Sequence, residues 1–229
     1  MTRCFTILLL TFISYANAQV NLGIEGGTGV SYVHSKNISS AYLPVLRTNV
    51  GVFINVPITE RIGLRSGVGY FPRGYNTNQT NEYDGLKFEF LSQTRIQFLS
   101  IPFMTSFRLT QTSSNHLWID GGMNYNIFLH GKTAYQYSTY VNSERVTHSE
   151  FTHNIIGRVN ASRYGPTENT YDVNGFDVAV KIQLRYVWKE RYNITIYHEN
   201  SLYEFRANPD EANSMLKLRY TGIGIGYVF

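Results

Sequence analysis

The 229-residue chain has one cysteine and six prolines. It has no apolar run of the ~20 residues that a membrane-spanning helix needs, and no cluster of basic residues. Each scarcity excludes something. A lone cysteine cannot close an internal disulfide, so stability must come from a large core or a closed barrel. Cys4 precedes the apolar stretch of the N-terminus rather than following it, which speaks against a lipid anchor. The lack of a basic run excludes a nucleic-acid footprint. A slightly negative mean hydropathy excludes a bundle of transmembrane helices. It does not exclude membrane strands, which are apolar on one face only.

What is abundant points to strands. Tyrosine (18), phenylalanine (14) and glycine (19) are plentiful, and aromatic residues favour the pleated, half-buried surface of a sheet. The first 18 residues form an export signal. Arg3 supplies the positive end, Phe5 to Ile13 the apolar segment, and Ala16-Asn17-Ala18 a small-x-small cleavage site. The mature chain is expected to begin at Gln19 with no cysteine. It would carry 19 basic residues (20 less Arg3) against 16 acidic ones, a net charge of +3.

The rest of the chain alternates with a period of two, the signature of strands whose side chains point to opposite faces. Eight such segments are predicted: Val20 to Tyr32, Val45 to Ile58, Ile62 to Tyr70, Thr94 to Leu109, His116 to Leu129, Phe176 to Trp188, Tyr192 to about Leu202, and about Met215 to Phe229. In the sixth, Phe176, Val178, Val180, Ile182, Leu184, Tyr186 and Trp188 oppose Asp177, Lys181, Gln183 and Arg185. Pro102 removes a ladder donor from the fourth, so a bulge or a locally broken register is expected there. Short connections (59–61, 110–115, 189–191) alternate with long ones (33–44, 71–93, 130–175, 203–214). An even strand number with short periplasmic turns and long outer loops is the layout of an outer-membrane barrel. The predicted fold is therefore an all-β, eight-stranded antiparallel up-and-down transmembrane barrel over residues 19–229. Along its long outer loop, 130–175, the fifth and sixth strands are expected to project beyond the membrane, with a mobile tip near Gly165-Pro166.

Alternation alone does not separate a membrane barrel from a soluble one; three further features favour the membrane. The polar faces carry charges of both signs, namely Glu25, Arg47, Arg65, Asp120, Asp177, Lys181, Arg185 and Glu199, interspersed with glycine, which suits a packed ionic interior. Aromatics collect at strand ends: Tyr32, Tyr70 and Tyr125 at the outer ends, Tyr186, Trp188, Tyr192, Tyr227 and Phe229 at the inner ends, as two interfacial girdles would. The chain closes on Ile223, Ile225, Tyr227 and Phe229 on one face, which looks like a signal for the barrel-assembly machinery.

Several motifs make the chain resemble the PorT-like outer-membrane β-barrel proteins of Bacteroidetes. They are Gly23-Ile24-Glu25-Gly26-Gly27, Arg65-Ser66-Gly67-Val68-Gly69-Tyr70, Leu99-Ser100-Ile101-Pro102-Phe103 and Gly222-Ile223-Gly224-Ile225-Gly226-Tyr227-Val228-Phe229. The resemblance implies a barrel in the outer membrane and supplies no catalytic residues.

Chemical motifs are sparse. Gly131-Lys132-Thr133 has Asn126 where a phosphate loop needs glycine, and Gly222-x-Gly224-x-Gly226 lies inside the last strand. His148, Glu150 and His153 lack diagnostic metal-ligand spacing. The sequons at Asn37, Asn78, Asn160 and Asn193 are read as chance. No catalytic, cofactor or metal residue is assigned, and no cofactor is expected. The expected partners are outer-membrane lipids, the assembly machinery through the Phe229 strand, and a protein partner through loop 130–175. The leading expectation is a non-enzymatic outer-membrane barrel with an envelope, adhesion or docking role. One alternative is a lipid-modifying barrel enzyme, with His148/Ser149 or His198/Ser201 as candidate pairs. The other is a secreted soluble barrel that binds a small ligand.

Overall fold

The computed structural model describes residues 20–35, 41–111, 114–155, 157–158, 173–205 and 216–229. The expected export signal at 1–18 and the expected mobile tip near Gly165-Pro166 lie outside the described residues. Twelve strands occur among the described residues: β1 (Asn21–Ser35), β2 (Ala41–Leu43), β3 (Val45–Pro57), β4 (Ile62–Tyr83), β5 (Leu86–Gln111), β6 (Asn115–Val141), β7 (Glu144–Ile155), β8 (Gly157–Arg158), β9 (Val173–Asn174), β10 (Phe176–Trp188), β11 (Tyr192–Ser201) and β12 (Leu216–Val228). Eight of them, β1, β3, β4, β5, β6, β10, β11 and β12, pair in chain order, and β12 pairing with β1 closes the ring. Every pairing in the ring is antiparallel. The predicted eight-stranded up-and-down barrel is the observed one.

The short connections are tight for local reasons. At the β3–β4 turn the Thr59 hydroxyl accepts the N–H groups of Arg61 (3.2 Å) and Ile62 (3.0 Å), a side-chain substitute for ladder bonds. At the β10–β11 turn, residues 189–191, Lys189 and Glu190 both take positive φ and the Arg191 N–H closes on the Trp188 carbonyl, 3.2 Å. These turns sit at the same end as both described termini, which makes that end periplasmic.

The opposite end departs from expectation. The segment 71–93, expected as a loop, is strand on either side of a turn at Asp84-Gly85, and 130–141 is the projecting strand expected there. β4 and β5 run on past the barrel to a hairpin at Asp84-Gly85, and β6 runs on to a second at Asn142-Ser143, where β7 turns back along it. All four turn residues have positive φ. The two tips are joined by a hydrogen bond from the Asn142 N–H to the Gly85 carbonyl, 3.0 Å. The fifth predicted strand does project, paired with β5 on one side and with β7 on the other; the sixth, β10, begins only at Phe176 and does not project with it. β6 has 27 residues; at about 3.3 Å per residue and a 45° tilt such a strand climbs about 60 Å, twice the ~30 Å hydrocarbon core. The surplus is a sheet of four long strands, β4-β5-β6-β7, with the short β2 paired to β4 at its edge, standing in water.

Of the bulge or locally broken register expected at Pro102, the structure has a local break in the ladder and no bulge. The β4–β5 register resumes unchanged on either side of it, from Ser66↔Phe103 to Gly69↔Ser100, and only the intervening pairs are missing. The missing proline donor interrupts the ladder without shifting it. The shifts in register lie elsewhere on β5–β6, between Gln97 and Phe98 and between Arg108 and Thr110.

Candidate functional site

The faces of the barrel are inverted relative to a soluble protein. Leu22, Ile24, Val52, Leu64, Phe103, Met123, Val180, Ile182, Ile194 and Ile225 are all exposed around the outside. Arg65, Arg73, Asp120, Asp177, Lys181, Arg185 and Glu199 are buried within. A monomer in water does not leave so large a continuous apolar surface uncovered. Lipid covers it without cost, and the soluble-barrel alternative fails on this point.

The interior is built from large charged residues set beside small neighbours. Glu25 lies between Gly226 and Gly51 in the ladder, and Lys181 between Gly122 and Glu199. A Cβ on Gly222 would stand 2.8 Å from the Tyr197 hydroxyl, so the ring occupies the room that this glycine leaves. Three ion pairs lie in the lumen. Arg65 Nη2 lies 2.7 Å from Glu25 Oε2. Arg185 grips Asp120 through two bonds of 3.0 Å each, and Gln183 Nε2 donates to the same carboxylate at 2.6 Å. Arg73 pairs with Glu199, and neither has exposed surface. Asn126 Nδ2 donates to both Glu199 (3.1 Å) and Asp177 (3.2 Å), and Ser201 donates to Asp177 at 2.8 Å. The Lys181 ammonium stands over the Tyr197 ring, 4.9 Å from its centroid.

Seven of the eight predicted inward charges take part in, or border, this network. Arg47 lies further out, its guanidinium donating to the Leu46 carbonyl. Arg73 escaped the sequence reading because it sits in a segment expected to be loop. The network leaves a cavity of about 50 Å³, room for about one or two waters and not for a pore. Above it Ile96, Phe98, Ile155, Val173, Phe205, Leu216 and Leu218 form a buried apolar cluster. Most of its members sit at the outer mouth, where the long strands leave the barrel, and they close it.

Aromatic rings mark both ends of the apolar band. At the periplasmic end Trp188, Tyr192, Tyr227 and Phe229 follow one another at centroid spacings of 5.5–5.6 Å. Toward the outer end Phe103, Tyr125 and Phe176 do the same at 5.7 and 5.8 Å.

The projecting sheet has two unlike faces. Its inner face carries Phe90, Tyr135, Tyr137 and Phe151 in mutual contact, with centroids 4.7–5.8 Å apart. Its outer face is polar. There Lys87 Nζ lies 2.7 Å from Glu89; this hydrogen bond holds the Glu89 carboxyl below its ordinary range and raises the Lys87 ammonium. His148 and Glu150 lie on the outer face and His153 on the inner, so the three do not converge. His148 does not meet Ser149; it meets Ser138 across the ladder, with Nδ1 2.9 Å from the hydroxyl and Nε2 3.0 Å from Glu150. Ser201 faces inward to Asp177, while His198 bonds Thr221 at 2.8 Å, so that pair is not assembled either.

A closed antiparallel ring, apolar outside, charged within and tightly turned at one end, defines an integral outer-membrane β-barrel. The chain belongs to the outer membrane protein beta-barrel domain family, whose model matches residues 16–202, and it resides in the outer membrane. Among solved structures it is similar to Ail, the attachment invasion locus protein of Yersinia pestis, with 13% identity over 91% of this chain and 98% of that one and a TM-score of 0.39. It is also similar to the N-terminal β-barrel domain of Pseudomonas aeruginosa OprF, with 11% identity, 93% and 100% covered and a TM-score of 0.33. OprG of the same organism has 11% identity, 91% and 95% covered and a TM-score of 0.36. A comparison with curated proteins found no match.

Proposed function

We propose that this barrel is a non-enzymatic surface protein whose projecting sheet recognises a macromolecular partner outside the cell, in adhesion or in docking to another envelope complex. The observation that carries the reading is the aromatic inner face of that sheet. Phe88, Tyr137 and Phe151 are each about half exposed, well clear of the lipid band. Rigid, amphipathic rings held on strands are what interfaces use as anchors. The test replaces residues 134–152 by a short turn and compares attachment of intact cells, and surface crosslinking, with the parent. Loss of both with the barrel still inserted is expected. Unchanged attachment and crosslinking would overturn the reading.

The array Ser138–His148–Glu150 supports a second reading, a hydrolase acting at the outer leaflet. A nucleophile, base and orienting carboxylate within hydrogen-bond reach is the required order. The surrounding backbone is committed to the β6–β7 ladder, which leaves few N–H groups to stabilise an oxyanion. Covalent labelling by a fluorophosphonate, lost in Ser138→Ala, would make this the leading reading.

Finer aspects belong to the same proposal. The short motifs at 23–27, 65–70, 99–103 and 222–229 support a place among PorT-like barrels. Export through residues 1–18 predicts a mature N-terminus at Gln19, which N-terminal sequencing checks. Recognition of the last strand by the assembly machinery predicts lower membrane levels for Tyr227→Asp.

A further inference from the structure

The periplasmic mouth of the barrel holds a second concave site. It is a vestibule of about 410 Å³ at the end that bears the short turns, lined by Arg108, His116, Trp118, Arg185 and Arg191 with apolar walls that include Leu64 and Val187. Arg108, Trp118 and Arg185 are direct neighbours in the ladder across β5, β6 and β10. The indole is thereby flanked by two guanidiniums, whose carbons stand 4.8 Å (Arg108) and 5.3 Å (Arg185) from its ring centroid.

The two arginines are not equivalent. Arg185 is committed to Asp120 on the lumen side by its bidentate pair. Arg108 has no carboxylate partner among the described residues, and its Nε is buried without a hydrogen-bond acceptor. His116 Nδ1, on the same wall, is buried and unsatisfied as well. Arg191 also lacks a carboxylate partner among the described residues, and the acid lining the vestibule is Glu190. The β5–β6 register shifts between Arg108 and Thr110. A bulge re-aims the side chains beside it and is common next to functional sites. Leaving a half-buried guanidinium donor without an acceptor is costly in a folded protein. Guanidinium forks match planar or tetrahedral oxyanions.

We infer that this vestibule binds an oxyanion, a carboxylate or phosphate group of a periplasmic molecule, between Arg108 and Arg191, with Trp118 as its floor. The site lies at the opposite end of the molecule from the projecting sheet and does not depend on the function proposed for it. The apolar walls suit a ligand that carries its charge on an apolar body, such as a peptide terminus or an amphiphile.

The chain has two tryptophans, so in a Trp188→Phe background the emission reports Trp118 alone. That protein, extracted and folded in neutral detergent, is titrated with sodium phosphate, sodium acetate and, as the uncharged control, acetamide, at constant ionic strength. Saturable quenching by phosphate or acetate is expected, weakened about tenfold by Arg108→Gln, the loss of one charged hydrogen bond. Response to one anion and not the other identifies the ligand class. Arg108 has no ionic partner to lose, so its substitution should leave heat-modifiable folding intact and keep the comparison clean. No saturable response to either anion, equal quenching by acetamide, or an affinity unchanged in Arg108→Gln would each overturn the inference.

Discussion

Arg73 and Glu199 face one another in the lumen with no exposed surface on either. Removing one leaves the other as an uncompensated buried charge. Arg73→Met alone is therefore expected to cost about 3–5 kcal/mol, whereas Arg73→Met with Glu199→Leu should cost far less. Urea unfolding of the four proteins in lipid vesicles measures the cycle, and equal losses in single and double variants would refute a coupled pair. On the other side of the wall Val180 is half exposed within the apolar band. Val180→Arg should cost about 2–4 kcal/mol in the same assay, as a cation placed against lipid does near the midplane. A neutral result would mean that this face does not meet lipid. Gly74 is a third sensitive position. Its φ is +156°, its N–H donates to the Ser31 hydroxyl, and a Cβ there would collide with the Thr94 carbonyl.

At the scale of elements, the hairpins above the membrane depend on two-residue turns with positive φ. Gly85→Val should loosen the β4–β5 tip and raise its protease sensitivity without releasing the barrel from the membrane; limited proteolysis of intact cells reads this. These hairpins are also where the sequence was least legible. Within the membrane, lipid on one side and a polar lumen on the other impose a strict alternation, and the strand Phe176–Trp188 could be read to the residue. Above it, water wets much of both faces, so the contrast fades. Tyr75, Thr77 and Gln79 alternate with Asn76, Asn78 and Thr80, and no face is purely apolar. The signal that remained was turn chemistry: Asp84-Gly85 is among the strongest short-range hairpin pairs, and Asn142-Ser143 a weaker one. The inward charges were legible because they fall on the polar parity. Their pairing, such as Arg65 with Glu25, and the Arg108–Trp118–Arg185 row depend on strand register, which alternation does not specify. The meeting of Ser138 with His148 was hidden for the same reason.

At the scale of the whole molecule, the ionic network and the apolar cluster at the outer mouth close the lumen. The protein is expected to give no stable conductance in planar bilayers, and steps of porin size would contradict a packed interior. The inverted arrangement of faces is the foundation for the rest, since the outer sheet, the periplasmic vestibule and the girdles take their orientation from it. The most direct test is to fractionate the envelope of expressing cells and run the outer-membrane fraction on a gel with and without boiling. A band in that fraction whose mobility changes on boiling is predicted, because a closed barrel resists detergent until it is heated. A protein recovered in the soluble periplasm or medium, or one whose mobility is the same before and after boiling, would contradict the account.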